Sequence, residues 1–532
     1  MPALAQLRLM VASMADQRGR CSNTDYCSDA VKQRVFILPG AESFTCPRCG
    51  GPLQTVSAAR RRNRTALFLQ AAVVFLSMAT LSYALISQAG PLWASAGTML
   101  PGRAQAALRT VPPADGGSAR TVLLRIAGSD VIGARLAPRL AANYLGLIGS
   151  TDIATSPGSA EGMIEVAGQR DAVTITLNSA AAGFSMLLRR TADVAMSATR
   201  ISGAEAERLQ ALGDMTSPAA EAVIAVQGIV VAVSPANPAV SLTLPQLRDI
   251  FSGRTTDWAE LGGAAGPVHV YVAQGRGSAA IAPQEIGIGQ DGITATANWV
   301  TGGVMAAALA ADRGGIGLLP FGGTGPAKVL ALGDGTSPVI PNRLTISAES
   351  YPLVRRLYLY AAPNAGSPLA RRFTDYVFTP AGQAAVEAAG FMPLATRTGA
   401  ALAPVPEAVP DRLRQVLAGA TRMSMEFRLQ PGTSALDSRS ARDLDRLASQ
   451  LRAQHISSNR LILAGFTDNS GVPQASRAMA QAWAEAVAAA LTRGGIAPGR
   501  IVSFGSDMPV ADNATPDGRE RNRRVEVYLA PP

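Results

Sequence analysis

A chain of 532 residues, 48% apolar and 16% charged, is too long for one hydrophobic core and too apolar to be disordered, so several folded domains are expected. The formal net charge of +10 does not indicate a nucleic-acid binder: the arginines are spread along the chain except for one cluster beside an apolar run, and aromatics, at 5%, form no basic stripe with them. The only histidines, His269 and His455, lie far apart in sequence, which leaves almost no material for a Ser/His/Asp triad or a His-based metal centre, and no enzyme is expected.

The first segment, 1–57, carries four cysteines. Cys21 and Cys27 bound CSNTDYC, and Cys46 and Cys49 stand in CPRCGG, where Gly50 and Gly51 permit a tight knuckle with backbone amides close to both thiolates. In a reducing compartment such a cluster points to metal rather than disulfides. A tetrahedral site of four thiolates suits Zn2+, which would supply folding energy that so short a segment cannot gain by burial. The segment resembles a zinc ribbon, more closely in its CPxCG half than in the wider first pair. Its role would be structural, or the docking of a cytoplasmic protein partner.

Leu67–Ile86 is uncharged throughout. As a helix rising ~1.5 Å per residue it would cross the ~30 Å hydrocarbon core, so a transmembrane helix is expected over 65–87. Arg60, Arg61, Arg62 and Arg64 precede it and hold the N-terminus in the cytoplasm. The run starts too far into the chain for a cleaved signal peptide. A single-pass inner-membrane protein follows, with the bulk of the chain in the periplasm. Residues 88–119, rich in Gly, Pro, Ala and Ser, read as a tether.

From Thr121 the pattern changes. TVLLRIAGSD is an apolar strand broken by Gly128-Ser129 and followed by helical spacing, a geometry that places backbone amides where an anion is welcome. VTITL, ADVAMS, AVIAVQGIVVAVS, PVHVYVA, GIGLLP and RLYLYAA continue the alternation of strands with helical stretches over 120–396, which predicts an α/β domain with mainly parallel sheets.

Three stretches carry a family resemblance: ADVAMSATRISGAEAERL at 192–209, NPAVSLTLPQLRDIFSGRTTDWAELGG at 237–263, and GGIGLLPFGG at 314–323. They are similar to segments of PstS-like phosphate-binding proteins. The resemblance implies a two-lobed periplasmic-binding-protein fold with phosphate or a related oxyanion in its cleft. It further implies contacts from Gly128 and Ser129, from Ser179 in a turn that reads Asn178-Ser179-Ala180, from Ser197, and from an Arg276-Gly277-Ser278 turn. Ala198 stands where many members place an aspartate, and Arg200 lies one place beyond the usual arginine. Two readings stay open, a working oxyanion site and a retained fold with a decayed pocket. Serines in such places also cap turns and helices for purely local reasons.

Residues 397–419, with APVPEAVP, read as a second linker before a domain over 420–532. MSMEFRLQ is a strand. SRSARDLDRLASQLRA is an amphipathic helix with Leu444, Leu447 and Leu451 on one face, and LILAGFTDN is a second strand. An Ala-rich helix ends at Gly494-Gly495, and RIVSFGSD and RRVEVYL supply further strands of an α+β sandwich. AGFTDNSG and PVADNATPDGRERNRRVEVYL resemble the two signature segments of OmpA C-terminal-like domains. That resemblance implies peptidoglycan as partner, with the diaminopimelate ammonium on Asp468 beside Thr467 and Asn469. The family's helix arginine is replaced by Trp483, a tryptophan that could stack on glycan but whose alanine neighbours suit core packing better; Arg477, Arg519 and Arg523 are the candidates to compensate.

The expected architecture is therefore multidomain: a small zinc ribbon, one transmembrane helix, a two-lobed α/β binding domain and an α+β OmpA-like sandwich. The expected function is a membrane-anchored oxyanion-binding protein held to peptidoglycan. The rival is a structural envelope tether whose cleft has lost its ligand.

Overall fold

The computed structural model describes residues 17–21, 35–38, 53–55, 110–111 and, from 120 to 531, all but 275–282, 290–291, 365, 395–402, 405–410 and 431–434. The chain divides into two compact units, Met1–Ala107 and Leu108–Pro532. In the first, Gln17–Cys21 pairs antiparallel with both Val35–Leu38 and Leu53–Thr55. Cys21 ends the central strand, whereas Cys27, Cys46 and Cys49, the arginine cluster and Leu67–Ile86 lie outside the described residues. Among the described residues no cluster suits a metal ion and no helix is long and apolar enough to cross a membrane.

In the second unit the leading elements are β1 (Arg120–Ser129), α1 (Leu136–Leu147), β2 (Ala154–Pro157), β3 (Met163–Ala167), β4 (Asp171–Asn178), α2 (Ala180–Leu188) and β5 (Val194–Ser197). There follow β6 (Glu221–Val233), β7 (His269–Gln274), β8 (Asn298–Thr301), β9 (Gly315–Pro320), β10 (Val354–Tyr360), α3 (Pro368–Val377) and α4 (Pro380–Ala388). One sheet runs through all ten strands in the order β8-β7-β9-β6-β10-β5-β1-β4-β3-β2.

β6 joins the two halves of that sheet. Apolar except at Glu221 and Gln227, it is buried at every position, as a strand covered on both faces requires. Glu221–Gly228 pairs with β10, and Ile229–Val233 pairs with β9. The parts on either side of this crossing are the first lobe (β1 to β5 with α1 to α4) and the second lobe (β7 to β9). One core packs α1, α3 and α4 against the first-lobe sheet through Leu140, Tyr144, Phe373 and Val386. The other runs from Phe184 and Leu187 through Val230 and Tyr360 to Leu318 and Met305 in the second lobe.

The expectation of mainly parallel sheets needs correction. β1 is parallel to β4 and β5, and β7 to β8 and β9, but every pairing made by the crossing strands β6 and β10 is antiparallel. A chain that leaves one lobe and returns must run in both directions where it crosses.

The C-terminal domain comprises β11 (Thr421–Phe427), α5 (Ser438–Ala453), β12 (Leu461–Phe466), α6 (Pro473–Arg493), β13 (Arg500–Gly505), α7 (Pro516–Asn522) and β14 (Arg524–Leu529). β11, β14, β12 and β13 pair in that order, and α5 and α6 cover one face through Leu447, Leu451, Val487 and Leu491. The seven-residue α7 was not expected: Thr515 caps it, its side chain accepting from the Gly518 amide, and Pro516 opens it. Part of the stretch read as linker is also folded. Ala403–Pro404 pairs with β11, and the helix Asp411–Val416 buries Leu413 beside Leu417, Phe466 and Phe504.

Candidate functional site

Three parallel neighbours place the predicted solute contacts. Ser129 registers with Asn178 on β4, and Gly128 with Met196 on β5, so Ser129, Ser179 and Ser197 come to the carboxyl ends of adjacent strands. This is where open α/β sheets hold their ligands. Gly128 has φ +133, and a Cβ there would stand 2.2 Å from the Met196 carbonyl oxygen, so only glycine fits.

The hydroxyls themselves are engaged locally. Ser179 caps α2, accepting from the Ala182 amide at 3.2 Å. Ser197 is fully buried and donates to the Thr199 carbonyl at 2.5 Å. Ser129 is 8% exposed and makes no side-chain cap bond. Arg276, Gly277 and Ser278 lie outside the described residues. Arg200 pairs with Glu221 at 3.0 Å, and the same carboxylate accepts from Tyr360.

Sequence reading passed over Arg355. It sits opposite Gln227 at the crossing of β6 and β10, its Nε donates to Gln227 Oε1 at 2.8 Å, and its Nη1 bonds the carboxylate of Glu285 from the second lobe. The only local signal was a pair of arginines opening an otherwise apolar strand.

The C-terminal domain gathers its predicted residues more fully. Asp468 is 2% exposed; it accepts from the Ser470 amide at 3.0 Å and pairs with Arg523 at 3.1 Å. The Thr467 amide donates to the Gly505 carbonyl, and the Asn469 amide to Asn513 Oδ1. Arg519 holds the Asn513 and Ala514 carbonyls, so its guanidinium shapes the loop. Arg477 is exposed, packs against Gly505 and lines a groove of about 390 Å3 with Gln481, Ser503 and Phe504. Trp483 packs on the core of Leu447 and Val487 and takes no part in this cluster.

Charged residues between the two domains form a network that sequence reading did not foresee. Glu349, at 10% side-chain exposure, meets Arg356 at 2.7 Å, Arg428 at 3.6 Å and Arg439. Asp437, the cap of α5, pairs with the same Arg356 at 2.7 Å, and Ser438 hydrogen-bonds Glu221. Farther out, Arg442 reaches the Pro218 carbonyl of the first lobe, and Arg521 pairs with Asp334 at 3.0 Å beyond the second-lobe strands. Burial opposes ionisation of Glu349, yet Arg356, Arg439 and Arg428 hold its carboxyl well below the ordinary carboxylate range.

Fold and geometry together define a two-lobed α/β domain joined to an α+β sandwich whose TD turn holds a buried carboxylate. Residues 137–381 match the PBP superfamily domain and residues 428–523 the OmpA family. The chain thus carries a PBP-like domain followed by a C-terminal OmpA domain. It is similar to outer membrane porin F of Pseudomonas fluorescens, 36% identical over 115 residues, 21% of this chain and 35% of that protein. It is similar to the peptidoglycan-binding protein ArfA of Mycobacterium bovis, 40% identical over 88 residues, 16% of this chain and 26% of that protein. It is also similar to the peptidoglycan-associated lipoprotein of Pseudomonas putida, 33% identical, covering 20% of this chain and 64% of that protein. The chain therefore spans about a third or less of the first two relatives' length. Among solved structures it is similar to an ABC-type phosphate transport receptor from Vibrio cholerae, 18% identical over 51% of this chain and 99% of that one, with a TM-score of 0.41.

Proposed function

We propose that this protein is a membrane-anchored periplasmic binding protein for phosphate or a related oxyanion, held to peptidoglycan by its OmpA domain. The observation that carries the reading is the joining of a PBP-like domain and an OmpA domain in one chain, with a glycine-serine turn at the strand ends of the first and a buried aspartate in the TD turn of the second. It acts by binding, not by catalysis. The anchor rests on Leu67–Ile86 and the preceding arginines, which place the N-terminus in the cytoplasm. A structural zinc in the cytoplasmic segment rests on the spacing of Cys21, Cys27, Cys46 and Cys49.

Titrating the detergent-solubilised full chain with phosphate, and with sulfate as competitor, tests the solute half. Saturable heat near micromolar affinity, ~8 kcal/mol, is expected; silence with both anions refutes it. The wall half is tested by cosedimentation with purified peptidoglycan. Asp468→Ala removes the carboxylate that pairs with Arg523 and would face a ligand ammonium, so its bound fraction should fall about tenfold; an unchanged pellet would remove Asp468 from the site.

A second reading has a specific observation behind it. Ser179 and Ser197 direct their hydroxyls to their own backbone. A scaffold with an inherited and silent cleft would look the same, and the titration separates the two.

A further inference from the structure

Helix α7 faces two ways. Its last residue, Asn522, is fully buried, and its Oδ1 accepts from the Val510 and Ala511 amides. Its Nδ2 donates to Asn513 Oδ1, the same oxygen that receives the Asn469 amide of the TD turn. Arg519 holds the Asn513 and Ala514 carbonyls, and Arg523, directly after the helix, pairs with Asp468. Between them Arg521 reaches out to the binding domain, where it pairs with Asp334 at 3.0 Å and donates to the Ser350 carbonyl at 3.3 Å. Asp334 follows Ala331–Gly333, which pairs with Ser241–Thr243 and sets Leu332 in the second-lobe core. Gly335, next in that turn, lies so close to Asp512 that a Cβ on it would stand 3.0 Å from the Asp512 Cβ. Two contacts from the second lobe therefore land on 512–523, the segment that shapes the TD turn. Burial and the nearby Arg428 push the Arg521 guanidinium down to about 10, and Asp334 is foremost among the carboxylates that oppose them.

In this arrangement the TD turn is closed on itself. Asp468 is 2% exposed, one of its oxygens accepts from the Ser470 amide and the other from Arg523, so a ligand ammonium has to displace Arg523. Moving the end of α7 would draw Arg523 off Asp468, and the helix has room to move, since Gly518 and Arg521 border a cavity of about 570 Å3. What pins that end from outside is the second lobe. We propose that the Asp334-Gly335 turn is an internal clamp on the peptidoglycan site: while the second lobe holds α7, Arg523 stays on Asp468, and docking of the lobe competes with the wall ligand. The proposal rests on the peptidoglycan half of the function proposed above and adds a control on that site from the binding domain. Coupling of this kind is reciprocal, so a wall ligand bound at Asp468 loosens the second lobe from α7.

The test is cosedimentation of the full chain with increasing amounts of purified peptidoglycan, run in parallel for wild type, Asp334→Asn and Glu520→Gln. Asp334→Asn frees Arg521 without altering the OmpA domain. Half-saturation should then come at about fivefold less peptidoglycan, or pelleting should become detectable if wild type shows none. Glu520→Gln removes an equal charge from an exposed position on α7 and should bind as wild type does. Should Asp334→Asn fail to fold, Arg521→Gln breaks the same pair from the other side and should act alike. Wild type pelleting with Asp334→Asn no tighter, or with Glu520→Gln tightened as much, overturns the clamp and leaves the peptidoglycan reading standing. No pelleting by either wild type or Asp334→Asn overturns both.

Discussion

Replacing Glu349 with Gln should destabilise the second unit by about 3–5 kcal/mol, because it strips the shared anion from three arginines held at the domain junction. Arg439 is 5% exposed along its side chain and Arg428 10%, so neither can turn to water for compensation. The amide would still accept one hydrogen bond, but it leaves Arg356 with Asp437 alone and Arg439 with Asp443. Urea unfolding of the full chain, followed by fluorescence of Trp258 in the binding domain and Trp483 in the OmpA domain, reads the effect. Wild type should lose both signals in one transition and the variant in two, since Glu349 joins the domains. A midpoint within about 1 kcal/mol of wild type would show that the network adds no net stability, an outcome known for buried ion pairs when all partners are removed together but not when one is left behind.

The same network sets an acid limit. Glu349 is held below its ordinary value near 4.5 in the folded chain, so its stabilisation is complete above that value and fades as pH falls through the folded one. Glu526, paired with Arg422 and Arg524, behaves alike: burial opposes ionisation, but the arginines bring its pKa to about 2. The difference between wild type and Glu349→Gln should therefore be largest at neutral pH and shrink as pH falls below about 4.5.

What the sequence made legible was whatever repeats locally. The run from Glu221 to Val233 is apolar at nearly every position because its strand is covered on both faces, and α5 shows its core face in Leu447 and Leu451. The turn glycine at 128 and the aspartate at 468 were readable because fixed neighbours surround them. Trp483, read from its alanine neighbours as a packing residue, lies half-buried against the core. Partners distant in sequence left no periodic trace. Nothing near Glu349 announces Arg439, ninety residues on, and nothing near Ser438 announces Glu221. Short folded pieces such as Ala403–Pro404 and α7 fell below any period that a pattern could show. Hydroxyl direction was equally hidden: Ser197 occupies the expected strand end, yet its bond to Thr199 appears only in three dimensions.

Gly128→Ala is expected to remove about 3 kcal/mol or more and to abolish phosphate binding wherever the variant still folds. Two terms combine. A positive φ of 133 is a conformation that side-chain-bearing residues adopt only under strain, about 1–3 kcal/mol. The added Cβ would also meet backbone rather than a pliable side chain, standing 2.2 Å from the Met196 carbonyl oxygen and 2.9 Å from its nitrogen, and overpacking of that kind adds about 1–3 kcal/mol. Relief requires β1 and β5 to part at Gly128 and Met196, which moves Ser129 away from the strand end that holds Ser197. Gly146→Ala is the matched control. It lies in α1 with ordinary φ, its new methyl would touch only Ile153 at 3.6 Å, and helix propensity predicts a gain of about 0.5–1 kcal/mol. If thermal unfolding finds both variants equal to wild type, the turn at Gly128 is not held as described, and the strand-end site loses its framework. If Gly128→Ala folds with lowered stability and still binds phosphate, the anion is not held at the first turn.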